Sequence, residues 1–257
     1  MIRFLSPEDD QVLRGLLLSQ GIYGVKALSQ YETYGPFTGI VDFWLLGKKN
    51  EPTGVLFRQG SLFGVCGQGD PEELSDFLGA MAPQEVEGPP ELLDDLRIEG
   101  VRRDGWLFSV SPFLKDWKPR REMVRPQSLS HVYQLLCQGE PGFGERIPYE
   151  GWLTENSHKV RHGLADIWVA YHQGVPVCTN GVYYKSQEIG LVASGTTAPS
   201  WRGKGYFQDI LGWTAYQSLK QGQAPWLVAA TPQLRELYTC LKLEEKGGWG
   251  RLLLEKP

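Results

Sequence analysis

Thr197-Ala198-Pro199-Ser200-Trp201-Arg202-Gly203-Lys204-Gly205-Tyr206-Phe207 joins an apolar, strand-like run at 188–197 to a segment of helical spacing at 206–221. In that segment Phe207, Ile210, Leu211 and Thr214 fall on one stripe, and Gly222 stands where a helix would stop. Gly203 and Gly205 allow a tight turn that points successive N–H groups into one concavity, and the helix starting there adds its positive end. Such a loop binds phosphate. Arg202 and Lys204 add charge-assisted contacts suited to a pyrophosphate. The stretch is not a P-loop, because the Gly-Lys-Ser/Thr ending is missing, and it is not GxGxxG.

Upstream, 128–137 and 149–162 have helical spacing, with Leu129, Val132, Leu135 and Leu136 on one face. Two apolar strands, 165–171 and 175–184, are separated by the hairpin signal His172-Gln173-Gly174, and 188–197 makes a third. Downstream, 226–230 reads as a short buried strand, 232–242 as a helix with proline in its first turn, and 249–254 as a last strand. The order is helix, helix, three strands, helix, strand, helix, strand. This predicts an α/β fold around one mixed sheet.

The same plan is faintly present earlier in the chain. At an offset of 124, Asp42, Trp44 and Pro52 match Asp166, Trp168 and Pro176; at 133, Asp76-Phe77-Leu78-Gly79 matches Asp209-Ile210-Leu211-Gly212; at 143, Pro89 and Gly105-Trp106 match Pro232 and Gly248-Trp249. The order is kept and the offset only grows, as expected of two copies of which the first has lost segments. The prolines and charges of 111–122, SPFLKDWKPRRE, read as the linker, which places one domain at 1–121 and the other at 122–257. Where the second copy carries the glycine loop, the first has Gly69-Asp70-Pro71-Glu72-Glu73, whose carboxylates would repel a pyrophosphate.

Composition narrows the function. With 257 residues, 41% of them hydrophobic, the chain can bury a substantial core. The net charge of −4 is uneven, with 13 Lys+Arg against 18 Asp+Glu in 1–121 and 13 against 12 in 122–257, so neither half has the basic excess that nucleic-acid binding requires. Cys66, Cys137, Cys178 and Cys240 lie far apart and form no CxxC pair, which predicts reduced thiols and no cysteine zinc site. The amino terminus lacks the apolar stretch of a signal peptide, and no window approaches a membrane span. A cytoplasmic protein with no membrane partner is expected.

The loop resembles that of the GNAT superfamily of acetyltransferases, Gln/Arg-x-x-Gly-x-Gly/Ala after a strand ending in Val-x-Pro-x-x. Arg202 and Gly205 match, Thr197 and Pro199 match the approach, and Phe207 stands where the family has a small residue. Downstream, TPQLRELYTCLKLEE looks like the family's Asn-x-x-Ala-x-x-Leu-Tyr-x-x-x-Gly-Phe helix through Leu237, Tyr238 and Leu241, with Thr231, Leu234 and Lys242-Leu243 as departures. The resemblance spans about 135 residues. It implies a GNAT-like mixed sheet flanked by helices, in two tandem copies with the amino-terminal one degenerate.

It also implies acetyl-CoA as cosubstrate, held by Arg202, Gly203, Lys204, Gly205, Tyr206, Phe207, Gln208 and Thr231 and by the backbone of Gly195, Thr196 and Thr197. Tyr238 is the implied general acid, and transfer goes to the primary amine of a small molecule or amino acid. Tyr149, Trp152, Trp168, Tyr183 and Tyr184 are candidates both for lining an acceptor pocket and for the core. Three rival readings share the resemblance: a CoA-binding sensor without catalysis, a mycothiol-synthase-like enzyme and a Fem-like aminoacyl transferase. No metal is implied, since His158 and His162 at i and i+4 lack an HExxH glutamate and read as a solvated helix face. Glu188 is a weak candidate base, because alternation puts it opposite Leu191, Ala193 and Gly195.

Overall fold

The computed structural model describes residues 1–254. They fall into two compact units, one of Met1–Leu107, Val228–Glu236 and the described residues from Glu245 onward, the other of Phe108–Leu227 and Leu237–Glu244. In the first lie β1 (Ile2–Phe4), α1 (Asp10–Ser19), α2 (Ile22–Tyr34), β2 (Val41–Lys48), β3 (Glu51–Gln59), β4 (Leu62–Gly67), α3 (Pro71–Met81), β5 (Glu85–Gly88), α4 (Pro90–Asp94) and β6 (Val101–Arg102). The chain crosses to the second unit within β7 (Gly105–Ser109). There follow α5 (Leu129–Gly139), α6 (Phe143–Arg146), α7 (Tyr149–Arg161), β8 (Asp166–His172), β9 (Val175–Lys185), β10 (Ile189–Thr197) and α8 (Tyr206–Lys220). β11 (Ala224–Ala229), α9 (Pro232–Cys240) and β12 (Glu244–Leu253) close the chain.

Each unit has the same inner plan. In the first, β1 to β4 are antiparallel neighbours and β5 pairs parallel to β4; in the second, β8 to β10 are antiparallel and β11 pairs parallel to β10. Strand alternation explains the layers. Val41, Phe43 and Leu45 pack with Leu13, Leu17 and Leu28 of α1 and α2, while Trp44 and Leu46 pack with Leu74 and Leu78 of α3. Likewise Ile167 and Val169 meet Val132, Leu135 and Trp152 of α5 and α7, while Trp168 and Ala170 meet Ile210 and Trp213 of α8. Trp44 and Trp168 thus face the equivalent helix.

The residue pairs behind the duplication fall on equivalent elements: Asp42 and Asp166 on β2 and β8, Pro52 and Pro176 on β3 and β9, Asp76 and Asp209 on α3 and α8, Trp106 and Trp249 on β7 and β12, with Pro89 just before α4 where Pro232 opens α9. The expected hairpin between β8 and β9 turns at Gln173 and Gly174, both at positive φ, the geometry that matches strand twist. Gly222, at φ 80°, follows the end of α8. One expectation needs correcting. β12 was read as the last strand of a domain at 122–257, but from Gly250 to Leu253 it pairs antiparallel with β5 and lies in the first unit. The hydrogen-bonding edge of β5 is what it satisfies, and local periodicity carries no information on which edge a strand will find.

Two glycines in the first helical layer set opposite demands. A Cβ on Gly24 would run into the Leu17 carbonyl, since α1 and α2 touch backbone to backbone there, whereas a Cβ on Gly15 would meet nothing within 4 Å. Gly24→Ala is expected to destabilise the protein by about 1–3 kcal/mol through overpacking. Gly15→Ala, which only reduces backbone freedom in an exposed helix position, should stabilise by about 0.5–1 kcal/mol. Urea unfolding of both variants checks the pair.

Candidate functional site

β10 is interrupted twice near its end. Its parallel pairing with β11 runs from Ile189 to Val192 and stops, although the strand continues to Thr197. Against β9 the register steps from Ala193–Gly181 to Thr196–Thr179, so Ser194 and Gly195 together oppose Asn180. This is a β-bulge, with Ser194 at φ 53°. The side chains of Thr196 and Thr197 are turned inward. Thr196 Oγ1 fills the space that a Cβ on Gly139 would need, and Thr197 Oγ1 lies 3.1 Å from the Cys178 thiol. Only their backbone, with that of the exposed Gly195, is left for a ligand.

Residues 198–205 carry the chain to α8, with a 3-10 turn at Pro199–Trp201 and positive φ at Gly203 (74°) and Gly205 (80°). Gly205 is the N-cap of α8 and supplies no side chain to its amides, so the N–H groups of the first turn keep their donors for another partner. Arg202 is placed differently from Lys204. Its guanidinium donates to the carbonyls of Gly139 (2.8 Å) and Thr197 (3.3 Å), which pins the start of the loop. Lys204 Nζ sits 4.3 Å over the Trp201 ring. The Tyr206 side chain is buried, with its hydroxyl 3.4 Å from His172 Nδ1, and leaves the backbone as its contribution.

The residue that sequence reading missed is Arg121. It pairs with Asp209, which is buried in the first turn of α8, donates to the Lys204 carbonyl (2.8 Å) and covers the Tyr206 ring at 4.3 Å. A linker residue therefore neutralises the Asp209 carboxylate beneath the loop and ties the loop to the helix. No motif could have found it, because it acts from outside the stretch whose pattern is recognisable. Beside the same helix turn, a cleft of about 240 Å³ is lined by Phe113, Trp117, Lys118, Arg120, Gln208 and Lys242, among others.

Tyr238 is buried, and burial pushes its hydroxyl up to about 12. Its ring meets Phe108 edge-on at 5.7 Å and stacks on Phe207 at 6.4 Å. No hydrogen bond to its hydroxyl is formed among the described residues. Leu237 does not share the buried face, being 40% exposed. Thr231 accepts from the Leu234 N–H at 3.3 Å and so caps α9; it lies in the first unit, whereas the loop, the bulge and Tyr238 lie in the second.

The other candidates are dispersed. Glu188 precedes β10 at its paired end, where its carbonyl accepts from Ala224, and the bulge lies at the opposite end of the strand. His158 and His162 contact one another at 4.4 Å, and no group of three His, Cys, Asp or Glu side chains among the described residues is arranged for a metal. Trp152 and Tyr183 pack on the α5–α7 face and Trp168 on the α8 face, so the aromatics form no common pocket. Cys66 and Cys178 are buried, and burial raises both thiols to about 12. No helix among the described residues is long and apolar enough to cross a membrane.

In the first unit the equivalent site is closed. Only residues 68–70 join β4 to α3, and Asp70 caps α3 by accepting from the Glu72 and Glu73 amides (3.0 and 3.2 Å).

The clamp on the loop carries its own test. Removing Arg121 forfeits a charge-assisted pair and a carbonyl bond, each worth about 1.5–3 kcal/mol where it is sheltered. Arg121→Ala should speed amide exchange of residues 203–207 by about tenfold or more, with exchange in β8 and β9 unchanged.

No family model and no curated protein matches the chain by sequence. Solved structures do match by fold. An acetyltransferase of the GNAT family from Colwellia psychrerythraea superposes with a TM-score of 0.67 at 12% identity, covering 99% of this chain and 100% of that one. A putative GNAT-family acetyltransferase from Novosphingobium aromaticivorans gives 0.57 at 14%, covering 94% and 99%. A tandem GNAT protein from the clavulanic acid biosynthesis pathway gives 0.60 at 11%, covering 100% and 98%. With full-length coverage on both sides and the repeated strand and helix order, the chain has the tandem GNAT fold.

Proposed function

We propose that the second unit binds acetyl-CoA and transfers its acetyl group to the primary amine of a small molecule or amino acid. One observation carries the reading. An uncapped helix N-terminus behind two positive-φ glycines, a bulged strand edge and a buried tyrosine with a free hydroxyl occur together in one copy, while in the other copy the equivalent amides are capped by Asp70. The fold neighbours that are described as GNAT acetyltransferases support it.

In this reading the pyrophosphate sits on the amides of the first turn of α8, with Lys204 beside it. Lys118, Arg120 and Lys242, which form no ion pair among the described residues, suit the nucleotide's further phosphate. The pantetheine amides pair with the free backbone edge of 193–197 as a neighbouring strand would. The amine nitrogen attacks the thioester carbonyl carbon and forms the new C–N bond. The oxyanion is met by a backbone N–H at the Ser194–Gly195 bulge. The C–S bond then breaks, and the leaving sulfur takes the Tyr238 proton; water carries the surplus proton of the amine back to the tyrosine. A hydroxyl pushed up to about 12 is protonated at neutral pH, which suits an acid rather than a base.

A screen of amines for thiol release from acetyl-CoA tests transfer directly. The expected result is release with a small amine or amino acid, lowered about 10²-fold in kcat by Tyr238→Phe with CoA affinity retained. CoA binding without release for any amine would favour the sensor reading. Because α8 has an open terminus and the equivalent helix α3 is capped by Asp70, titration calorimetry should give one CoA per chain, and Gly205→Val should remove it by forcing a β-branched residue to φ near 80°. Two equivalent sites, or unchanged affinity in folded Gly205→Val, would overturn the assignment.

A further inference from the structure

The ring of Phe207 occupies a place that the proposed reaction needs. Phe207 is the second residue of α8, half-buried, at the loop position where a small residue was expected. Its ring lies nearly parallel to that of Tyr238, with 18° between planes and centroids 6.4 Å apart. On its other side, Phe207 Cε2 is 2.8 Å from where a Cβ on Gly195 would stand, so the ring touches the β10 backbone. It therefore spans from the bulge to the tyrosine. That is the track a thioester arm would follow along the free edge of β10.

Resting on the CoA reading, we infer that Phe207 is the specificity-determining residue that sets access of the acyl-pantetheine arm, and not of the nucleotide end, to this cleft. A ring in contact with Gly195 and stacked on Tyr238 leaves no width for a methylene chain between them. A side chain in the first turn of a helix has no preceding turn to restrict χ1, so the ring can change rotamer. Swinging out forfeits the aromatic pair with Tyr238, equivalent to a roughly twofold to tenfold penalty that only ligands bearing the arm incur. Ligands that stop at the nucleotide's phosphates, short of the arm, bind without moving it.

The test compares CoA with 3′,5′-ADP, which keeps the adenosine, the 3′-phosphate and one 5′-phosphate and lacks the arm, by titration calorimetry on the full chain. Phe207→Ala should tighten CoA and acetyl-CoA by about fivefold to tenfold and change 3′,5′-ADP by less than twofold. Phe207→Leu, which keeps apolar bulk on the helix, should tighten CoA by a smaller factor in the same direction and serves if the alanine variant does not fold. Equal changes for both ligands, or CoA alone weakened because the ring is a wall of the arm's slot, overturn the gate while leaving CoA binding intact. If neither ligand binds the parent or either variant, the CoA reading falls and the gate with it.

Discussion

Two parallel strands, β10 and β11, begin side by side at Ile189 and Ala224 and cease to pair after Val192 and Leu227. Backbone polar groups within a sheet must find partners, and a central strand that stops pairing midway leaves a row of donors and acceptors open. The bulge at Ser194 and Gly195 makes this opening tolerable by turning the strand and by leaving a glycine where a side chain would strike Phe207. Everything proposed for the site depends on that opening. The loop at 198–205 starts where the released strand ends, and α8 brings Phe207 to its edge.

The first unit shows how little is needed to close such a site. Its strand and helix order is the same, yet three residues replace the longer loop and one aspartate saturates the helix terminus. A carboxylate fixed at a helix N-terminus is stabilising in itself, because it meets the dipole and the orphan amides together. Fold stability and anion binding therefore compete for the same N–H groups. In the first copy the protein's own side chain takes them; in the second, Gly205 leaves them free.

Electrostatics at the loop of the second unit is arranged around the buried Asp209. Asp209, in the first turn of α8, would oppose a phosphate if it stood alone, and Arg121 cancels it while holding the Lys204 carbonyl. The pair makes the ground beneath the loop neutral, so that the amides and Lys204 set the sign of the field above it. Arg202, by contrast, spends its donors on two carbonyls, and its contribution to the loop is shape.

Local pattern was enough for much of this. Alternation and helical spacing marked the strands and helices of the second copy, positive-φ turns were legible as Gln173-Gly174 and as the glycines of the loop, and the growing offset between Trp- and Gly-bearing segments revealed two copies. These are properties of residues close together in the chain, where periodicity and backbone preference act directly. What the sequence could not decide was which edges and rings would meet. That β12 would complete the sheet at β5, that Arg121 would reach Asp209 across 88 residues, and that Phe207 would lie between Gly195 and Tyr238 all depend on packing between distant segments. Such contacts are selected by the shape and unsatisfied groups of the assembled fold, which no short window of sequence contains.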